Sequence, residues 1–172
     1  MAFSRFLFYI GIAFVRKTLV IGFGNLDRAD DGVAFHIINA VRRALGLSPL
    51  AENETGLEDL VHPMDTAFIG QLTPEMIDVL EGYNRVIFVD AHVDPAVADL
   101  YYTAVSPDEA GLTFTHHMSP ATLLAFFEAL HGHAPEGHLV SVRGGDFDFH
   151  RNLSPATAAL VAPAVEKIMQ LK

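Results

Sequence analysis

The alternation of apolar, β-branched runs with segments of helical spacing constrains the fold of this chain most strongly. TLVIGF at 18–23 is a continuous apolar run, which is typical of a strand covered on both faces. Val33–Leu45 carries apolar side chains at helical spacing and is followed by Gly46, a common helix stop. VIFVD at 86–90 is the clearest further strand. This alternation predicts a sheet with helices packed against it.

Three further helices are expected where a hydroxyl side chain stands just before a proline, because the hydroxyl caps the helix and proline suits its first position. These starts are Thr73-Pro74, Ser119-Pro120 and Ser154-Pro155, opening helices at 74–82, 120–131 and 155–170. The remaining strands are expected at 64–69, 99–105 and 138–143. Helices between strands imply crossover connections and a mostly parallel sheet. We therefore expect an α/β fold, a three-layer, doubly wound, mostly parallel five-stranded sheet with helices on both faces.

The domain organisation follows from length and from the N-terminal segment. The 172 residues suit one domain of ordinary size. Residues 6–15 are almost wholly apolar, but a membrane-spanning helix needs about 20 such residues. A signal peptide is disfavoured because no small-residue cleavage site precedes the first strand. We expect residues 1–16 to be an apolar extension and residues 17–172 to be a single α/β domain whose fold is complete without that extension.

Composition excludes several classes of function. The chain has no cysteine, which excludes disulfides, a thiol nucleophile, thiolate zinc sites and iron–sulfur ligation. Lys and Arg number 11 against 21 Asp and Glu, a net charge of −10. Nucleic acid is not an expected partner, because its phosphates require a basic surface. We expect an acidic, cytoplasmic protein without membrane insertion.

Polar side chains follow three of the predicted strands, where open α/β sheets bind their ligands. Asp30 and Asp31 follow the first strand, Asp90 ends the third, and His116 and His117 come just before a helix start. Taken singly, a carboxylate at a helix start is more often a cap, and a lone histidine is more often structural. Together, two carboxylates and one imidazole indicate a three-point site for a borderline divalent ion, with open positions left over.

A nucleotide site is disfavoured, although Gly22-x-Gly24 follows a strand and precedes a helix. The third glycine of a dinucleotide fingerprint would stand at position 27, which is Asp27. Asp30 and Asp31 would place negative charge where a pyrophosphate must lie. Neither G-x-S-x-G nor H-E-x-x-H occurs, so the usual serine-hydrolase and zincin signals are missing.

Four segments of the sequence resemble one family, the hydrogenase maturation endopeptidases. VIGFGNLDRADDGVAFHIINAVRRAL resembles the opening of these proteins, which run strand, G-x-G-N, four variable residues, Asp-[Asp/Glu]-Gly, helix. RVIFVDA resembles their third strand with its terminal aspartate. HHMSPATLLAFFEALHG resembles the segment in which a histidine precedes a helix, and LSPATAALVAPAVEKIMQ resembles the C-terminal helix. The resemblance covers roughly residues 18–171.

The resemblance implies an endopeptidase that removes a short C-terminal peptide from the precursor large subunit of a nickel–iron hydrogenase after nickel insertion. The family's metal-contacting and catalytic positions fall on Asp31, Asp90 and His117, with His116 as the alternative histidine. The cofactor implied is nickel supplied by the substrate, and another divalent ion is able to take the site in vitro. Gly70 is expected to line the cleft with backbone groups.

Two points stay open at the level of sequence. The peptide bond is attacked either by a water that the metal activates, or by a water that a carboxylate such as Asp31 or Asp90 deprotonates. A non-hydrolytic assembly chaperone of flavodoxin-like fold that binds a metal or cofactor is the alternative function.

Overall fold

The structure of the protein, a computed structural model, describes residues 17–108 and 118–171. The strands are β1 (Thr18–Phe23), β2 (Met64–Ile69), β3 (Arg85–His92), β4 (Leu100–Val105) and β5 (Glu136–Arg143). The α-helices are α1 (Val33–Ala44), α2 (Met76–Leu80), α3 (Pro120–His131), α4 (Pro155–Ala159) and α5 (Val161–Gln170), and a short 3-10 helix, Ala29–Gly32, precedes α1. Residues 1–16 and 109–117 lie outside the described residues, so the expectation about the N-terminal extension stays a prediction.

The sheet has five strands in the order β2-β1-β3-β5-β4. β1 pairs in parallel with β2 and β3, and β3 pairs in parallel with β5. β4 is antiparallel to β5, because only residues 93–99 separate it from β3, and a parallel return needs a crossover of about a dozen residues or more. The expected mostly parallel, five-stranded α/β sheet is confirmed.

Side chains of alternate strand residues enter two separate cores, one on each face of the sheet. Val20, Ile87 and Val140 lie in the core formed with α1 and α5. Leu19 and Phe88 lie in the core formed with α2 and α3. Because the central strands are buried on both faces, their sequences are continuous apolar runs. The expected helices on both faces of the sheet are confirmed.

The helix starts follow local capping chemistry in two of three places. Ser119 Oγ accepts a hydrogen bond from the Thr122 N–H at 3.1 Å, and Ser154 Oγ accepts one from the Thr157 N–H at 3.3 Å. The start expected at Thr73-Pro74 is wrong, because α2 begins only at Met76 and no side chain caps it.

The single helix expected at 155–170 is two helices, α4 and α5. Pro163 has no N–H to donate to the Ala159 carbonyl and its ring crowds that group, so α4 ends at Ala159. In the part of the chain that the structure describes, no helix is long and apolar enough to cross a membrane.

Candidate active site

The topology of the sheet creates a crevice between the ends of β1 and β3. The chain leaves β1 toward β2 on one side, whereas β3 lies on the other side of β1. Such a reversal of strand order is where doubly wound sheets bind ligands. The last pair between β1 and β3 is Gly22 with Val89, and β3 continues to His92. The last three residues of β3, Asp90 to His92, therefore lie past the end of β1 pairing, at the crevice.

The loop after β1 is folded back tightly onto the start of α1. Gly24 has a φ of 146°, and a Cβ at this position would lie 2.1 Å from the Asp31 carbonyl oxygen, so only glycine fits. The Asn25 N–H donates to Asp31 Oδ2 at 3.1 Å. Asp31 is only partly exposed, and the N-terminal end of α1 favours its negative charge. A phosphate at this helix start would meet that carboxylate, in line with the disfavoured nucleotide interpretation.

Asp30, the neighbour of Asp31, is fully buried and has a different set of partners. Its Oδ2 accepts hydrogen bonds from the N–H groups of Gly145 and Asp146 at 2.9 and 3.0 Å, and from Ser154 Oγ and Thr157 Oγ1 at 2.8 and 2.9 Å. Its Oδ1 accepts from the Ser154 N–H at 2.7 Å. Burial raises the pKa of this carboxyl, but the hydrogen bonds outweigh that effect and lower it to about 2.

The two neighbouring carboxylates therefore differ in what they do. Asp30 binds the loop after β5 and the start of α4, and so anchors the 3-10 turn to the C-terminal part of the domain. Asp31 has no such partners among the described residues and stands at the crevice. Sequence alone offers both as candidates, and the structure leaves only Asp31 available for a ligand.

Asp90 lies near the end of β3, where it is partly exposed. Its Oδ1 accepts a hydrogen bond from the Ala91 N–H at 2.7 Å. Burial raises the pKa of the Asp90 carboxyl to about 7, the Ala91 hydrogen bond opposes this shift, and the negative charge of Asp31 adds to it. The Asp31 carboxylate is thus close enough to Asp90 to contribute to the raised pKa of Asp90.

The third predicted ligand cannot be placed. His117 and its alternative His116 lie outside the described residues. Within residues 17–108 and 118–171, no three His, Asp or Glu side chains form a group that could hold a metal ion. The three-ligand site of Asp31, Asp90 and His117 therefore stays a prediction.

His92 is a residue of the crevice that the sequence analysis did not single out. Both of its ring nitrogens are buried, and neither has a hydrogen-bond partner in the described part of the chain. A signal for it existed, because His92 stands two residues after Asp90 in a strand, and such residues share one face. The imidazole of His92 and the carboxylate of Asp90 are ligand types that fit a borderline divalent ion.

The loop after β5 closes one side of the crevice. The Gly144 N–H donates to the His92 carbonyl at 2.9 Å. Arg28 donates through Nε and Nη2 to the Phe147 carbonyl at 3.3 and 3.2 Å. Arg151 forms an ion pair with Asp27 at 2.7 Å. These contacts fix the loop after β5 against the loop after β1.

A groove runs from the crevice along the end of β2. One cavity of about 360 Å³ is lined by Gly24, Asn25, Leu26, Phe68, Gly70 and Gln71. A neighbouring cavity of about 440 Å³ shares Gly70 and Gln71 and reaches the apolar side chains of Leu57, Met76 and Val79. No atom lies within 4 Å of the position that a Cβ on Gly70 would take, so backbone groups are accessible at that point.

The open α/β sheet makes this a doubly wound protein, and its two carboxylates at the switch-point crevice form the candidate ligand site. Neither a protein-family model nor a curated protein sequence matches the chain. Solved structures do match it along most of its length. The hydrogenase maturating endopeptidase HybD from Escherichia coli has 22% identity, covers 90% of this chain and 91% of its own, and gives a TM-score of 0.65.

Two archaeal structures agree with that match. The [NiFe] hydrogenase maturation protease HybD from Thermococcus kodakarensis has 17% identity, covers 90% of this chain and 98% of its own, and gives a TM-score of 0.61. A hydrogenase 2 maturation peptidase from a Thaumarchaeota archaeon has 21% identity, covers 91% of this chain and 97% of its own, and gives a TM-score of 0.58. The chain therefore has the fold of the hydrogenase maturation endopeptidases.

Proposed function

We propose that the protein is an endopeptidase that removes the C-terminal peptide of a precursor large subunit of a nickel–iron hydrogenase after nickel insertion. The observation that carries this proposal is the placement of Asp31 and Asp90 on either side of the switch-point crevice, within the fold of proteins named as hydrogenase maturation proteases. The proposal includes the cytoplasmic location expected from the sequence.

The residues at the crevice are suited to recognise nickel that arrives with the substrate. Asp31 and Asp90 offer carboxylate oxygens, and His117 is the proposed imidazole ligand. The chain has no cysteine, so no thiolate of its own tightens the site. Such a site binds nickel weakly by itself and gains affinity when the precursor supplies further ligands. Recognition of the ion then reports that the large subunit has been loaded.

Hydrolysis needs a group that takes a proton from the attacking water, unless the ion itself activates that water. A general base works best when its pKa lies near the working pH. Without a bound ion, the pKa of Asp90 is raised to about 7, so Asp90 suits this role where it does not itself hold the ion. Asp31 stands just before α1 with its carboxylate at the crevice, which suits holding the ion.

The groove along the end of β2 provides space for the peptide that is cut. It begins at Gly24 and Asn25, next to Asp31, and passes Gly70. An extended peptide is able to approach the backbone there because Gly70 carries no side chain. The apolar side chains beyond it, including Met76 and Val79, would contact a hydrophobic residue of the peptide.

The test mixes the purified protein with precursor large subunit, with and without loaded nickel, and follows the mass of the subunit. We expect a shortened subunit only from the nickel-loaded precursor, and no shortening with Asp31→Ala. A chaperone of the same fold would bind the precursor and leave its mass unchanged. Cleavage of the nickel-free precursor, or of an unrelated unfolded protein, would instead indicate an ordinary peptidase.

A further inference from the structure

We propose that His92 is a metal-binding imidazole of this site, which acts with Asp90 as an Asp-x-His pair on one face of β3. The ligand class is a borderline divalent cation such as nickel. The identity of the ion as cargo of the precursor rests on the proposed function, but the ligand role of His92 does not.

The pairing follows from the alternation of side chains along β3. Ile87, Val89 and Ala91 pack in or against the core with α1 and α5, whereas Phe88 packs in the core with α2 and α3. Asp90 and His92 therefore lie on the face of Phe88. Residues two apart in a strand are separated by about 7 Å, and ligand atoms lie about 2 Å from the ion. Two side chains of this length are able to reach one ion from that spacing.

The backbone of His92 is fixed by hydrogen bonds, whereas its ring nitrogens have no hydrogen-bond partner within residues 17–108 and 118–171. His92 pairs in register with Arg143 of β5, and its carbonyl accepts the Gly144 N–H at 2.9 Å. The crevice lies alongside, because β1 pairs with β3 only as far as Val89. A strand residue held in this way presents its side chain at a defined position, as a metal ligand requires.

His138 is a second buried histidine and serves for comparison, because both of its ring nitrogens have partners. The ring of His138 is buried, with Nδ1 3.0 Å from the Tyr102 hydroxyl and Nε2 3.0 Å from Glu136 Oε1. Both ring nitrogens of His92 are buried as well, but they have no partner in the described part of the chain. Native proteins rarely leave such groups unsatisfied, and binding of an ion is one way in which they gain a partner.

The surrounding charges permit a cation beside His92. Arg143, its neighbour in β5, directs its guanidinium away toward the chain before β4, where it pairs with Asp99 and donates to the Asp94 carbonyl at 2.9 Å. Asp90 supplies the negative charge on the same face as His92. Imidazole nitrogen together with carboxylate oxygen favours nickel, cobalt or zinc over magnesium and calcium.

The test compares the full chain with His92→Leu and with a matched control, His133→Gln. His133 is exposed and lies after α3, outside the crevice. Histidine ring signals are followed by NMR during titration with Ni²⁺, which broadens nearby signals, and with diamagnetic Zn²⁺. Cobalt and nickel affinities are measured by visible absorption and calorimetry.

We expect Ni²⁺ to broaden the NMR signals of the His92 ring and Zn²⁺ to shift the signal of one of its ring nitrogens. We expect His92→Leu to weaken nickel binding at least tenfold. His133→Gln should bind nickel as the unmodified chain does. His92→Leu should melt at the same temperature or higher, because it removes two buried groups without partners. Unchanged nickel affinity in His92→Leu, or a metal titration that leaves the His92 ring signals unaffected in the unmodified chain, would overturn the proposal.

The two proposals fail in different ways. If the unmodified chain binds nickel through His92 but never shortens the loaded precursor, the proposed function is wrong and the ligand role stands. If the unmodified chain shortens the precursor while His92→Leu binds nickel equally well, the ligand role is wrong and the proposed function stands. The NMR measurement needs no variant, so it decides the ligand role even where His92→Leu does not fold.

Discussion

Replacing Asp30 with asparagine should destabilise the domain strongly, although the change removes a single charge. Oδ2 of Asp30 accepts from four donors, and Oδ1 accepts from the Ser154 N–H. Asparagine has one acceptor oxygen and an NH₂ group. If the asparagine oxygen takes the place of Oδ2, the NH₂ group faces the Ser154 N–H. If the amide is turned around, the NH₂ group faces the four donors that Oδ2 binds. Either way, buried donors are left facing each other.

Two estimates of the same hydrogen-bond network give the size of the effect. The pKa of Asp30 is lowered from 3.8 to about 2, and at about 1.4 kcal/mol per unit this amounts to about 2 kcal/mol of stability. A hydrogen bond to a charged acceptor contributes about 1.5–3 kcal/mol. We therefore expect Asp30→Asn to lower the free energy of unfolding by about 2–4 kcal/mol. For a domain of this size that corresponds to a fall in Tm of about 4–16 °C.

Urea unfolding followed by circular dichroism measures this difference at several pH values. The pKa of Asp30 is lowered in the folded state, from 3.8 to about 2. The stability that the Asp30 charge contributes is therefore present above pH 3.8 and is lost as the pH falls through about 2. The unmodified chain should therefore lose its advantage over Asp30→Asn across that interval. Asp31→Asn is the matched control, since Asp31 accepts one backbone N–H, from Asn25, and should cost less than about 1 kcal/mol.

A variant Asp30→Asn as stable as Asp31→Asn at pH 7 would refute this reasoning. So would a stability difference between the unmodified chain and Asp30→Asn that stays constant from pH 4 to pH 2. The first result would show that the hydrogen-bond network does not stabilise the fold. The second would show that the charge of Asp30 is not what the network binds.

Three other predictions concern the site and the opposite end of the sheet. Asp90→Asn should slow the shortening of nickel-loaded precursor at least about 100-fold, measured by subunit mass, without lowering the Tm measured by calorimetry. Activity equal to that of the unmodified chain would exclude Asp90 as base and as ligand. Tyr83→Phe should lower the free energy of unfolding by about 1–2 kcal/mol, measured with urea, because the Tyr83 hydroxyl donates to buried Asp65 at 2.7 Å; no change would contradict a structural role for this bond. A chain without residues 1–16 should fold and melt within a few degrees of the full chain, since β1 begins at Thr18; aggregation would show that the apolar segment belongs to the core.

The strands could be predicted from sequence because burial on both faces leaves a local signature. TLVIGF has no polar side chain after Thr18, and β1 has the predicted bounds. Hydroxyl-proline pairs predict the starts of α3 and α4 because the cap is made within three residues. The predicted start of α2 was wrong, because Thr73 has the right residue type but its side chain does not cap the helix. The break before α5 depends on Pro163, whose effect is hidden by the helical spacing on both sides of it.

The edge of the sheet at which the candidate site lies could also be proposed from sequence, because the ends of parallel strands meet at one edge. Asp31 and Asp90 lie there, each after a different strand. For His92 the sequence offers only its spacing from Asp90, because the feature that sets it apart is the lack of hydrogen-bond partners for its ring among the described residues. That property depends on the surroundings and is invisible in a sequence that contains nine histidines.

Adjacent identical residues show most clearly where sequence reasoning ends. Asp30 and Asp31 share one local context, but the 3-10 turn sends their side chains in different directions. One is paired with Ser154 and Thr157, more than 120 positions away, and the other stays at the crevice. The buried carboxylate fixes the turn from which its neighbour projects, so the C-terminal part of the domain determines where Asp31 stands relative to Asp90. The position of one proposed site carboxylate is thus set by the hydrogen-bond network of its neighbour, so stability and the geometry of the proposed site depend on a single dipeptide.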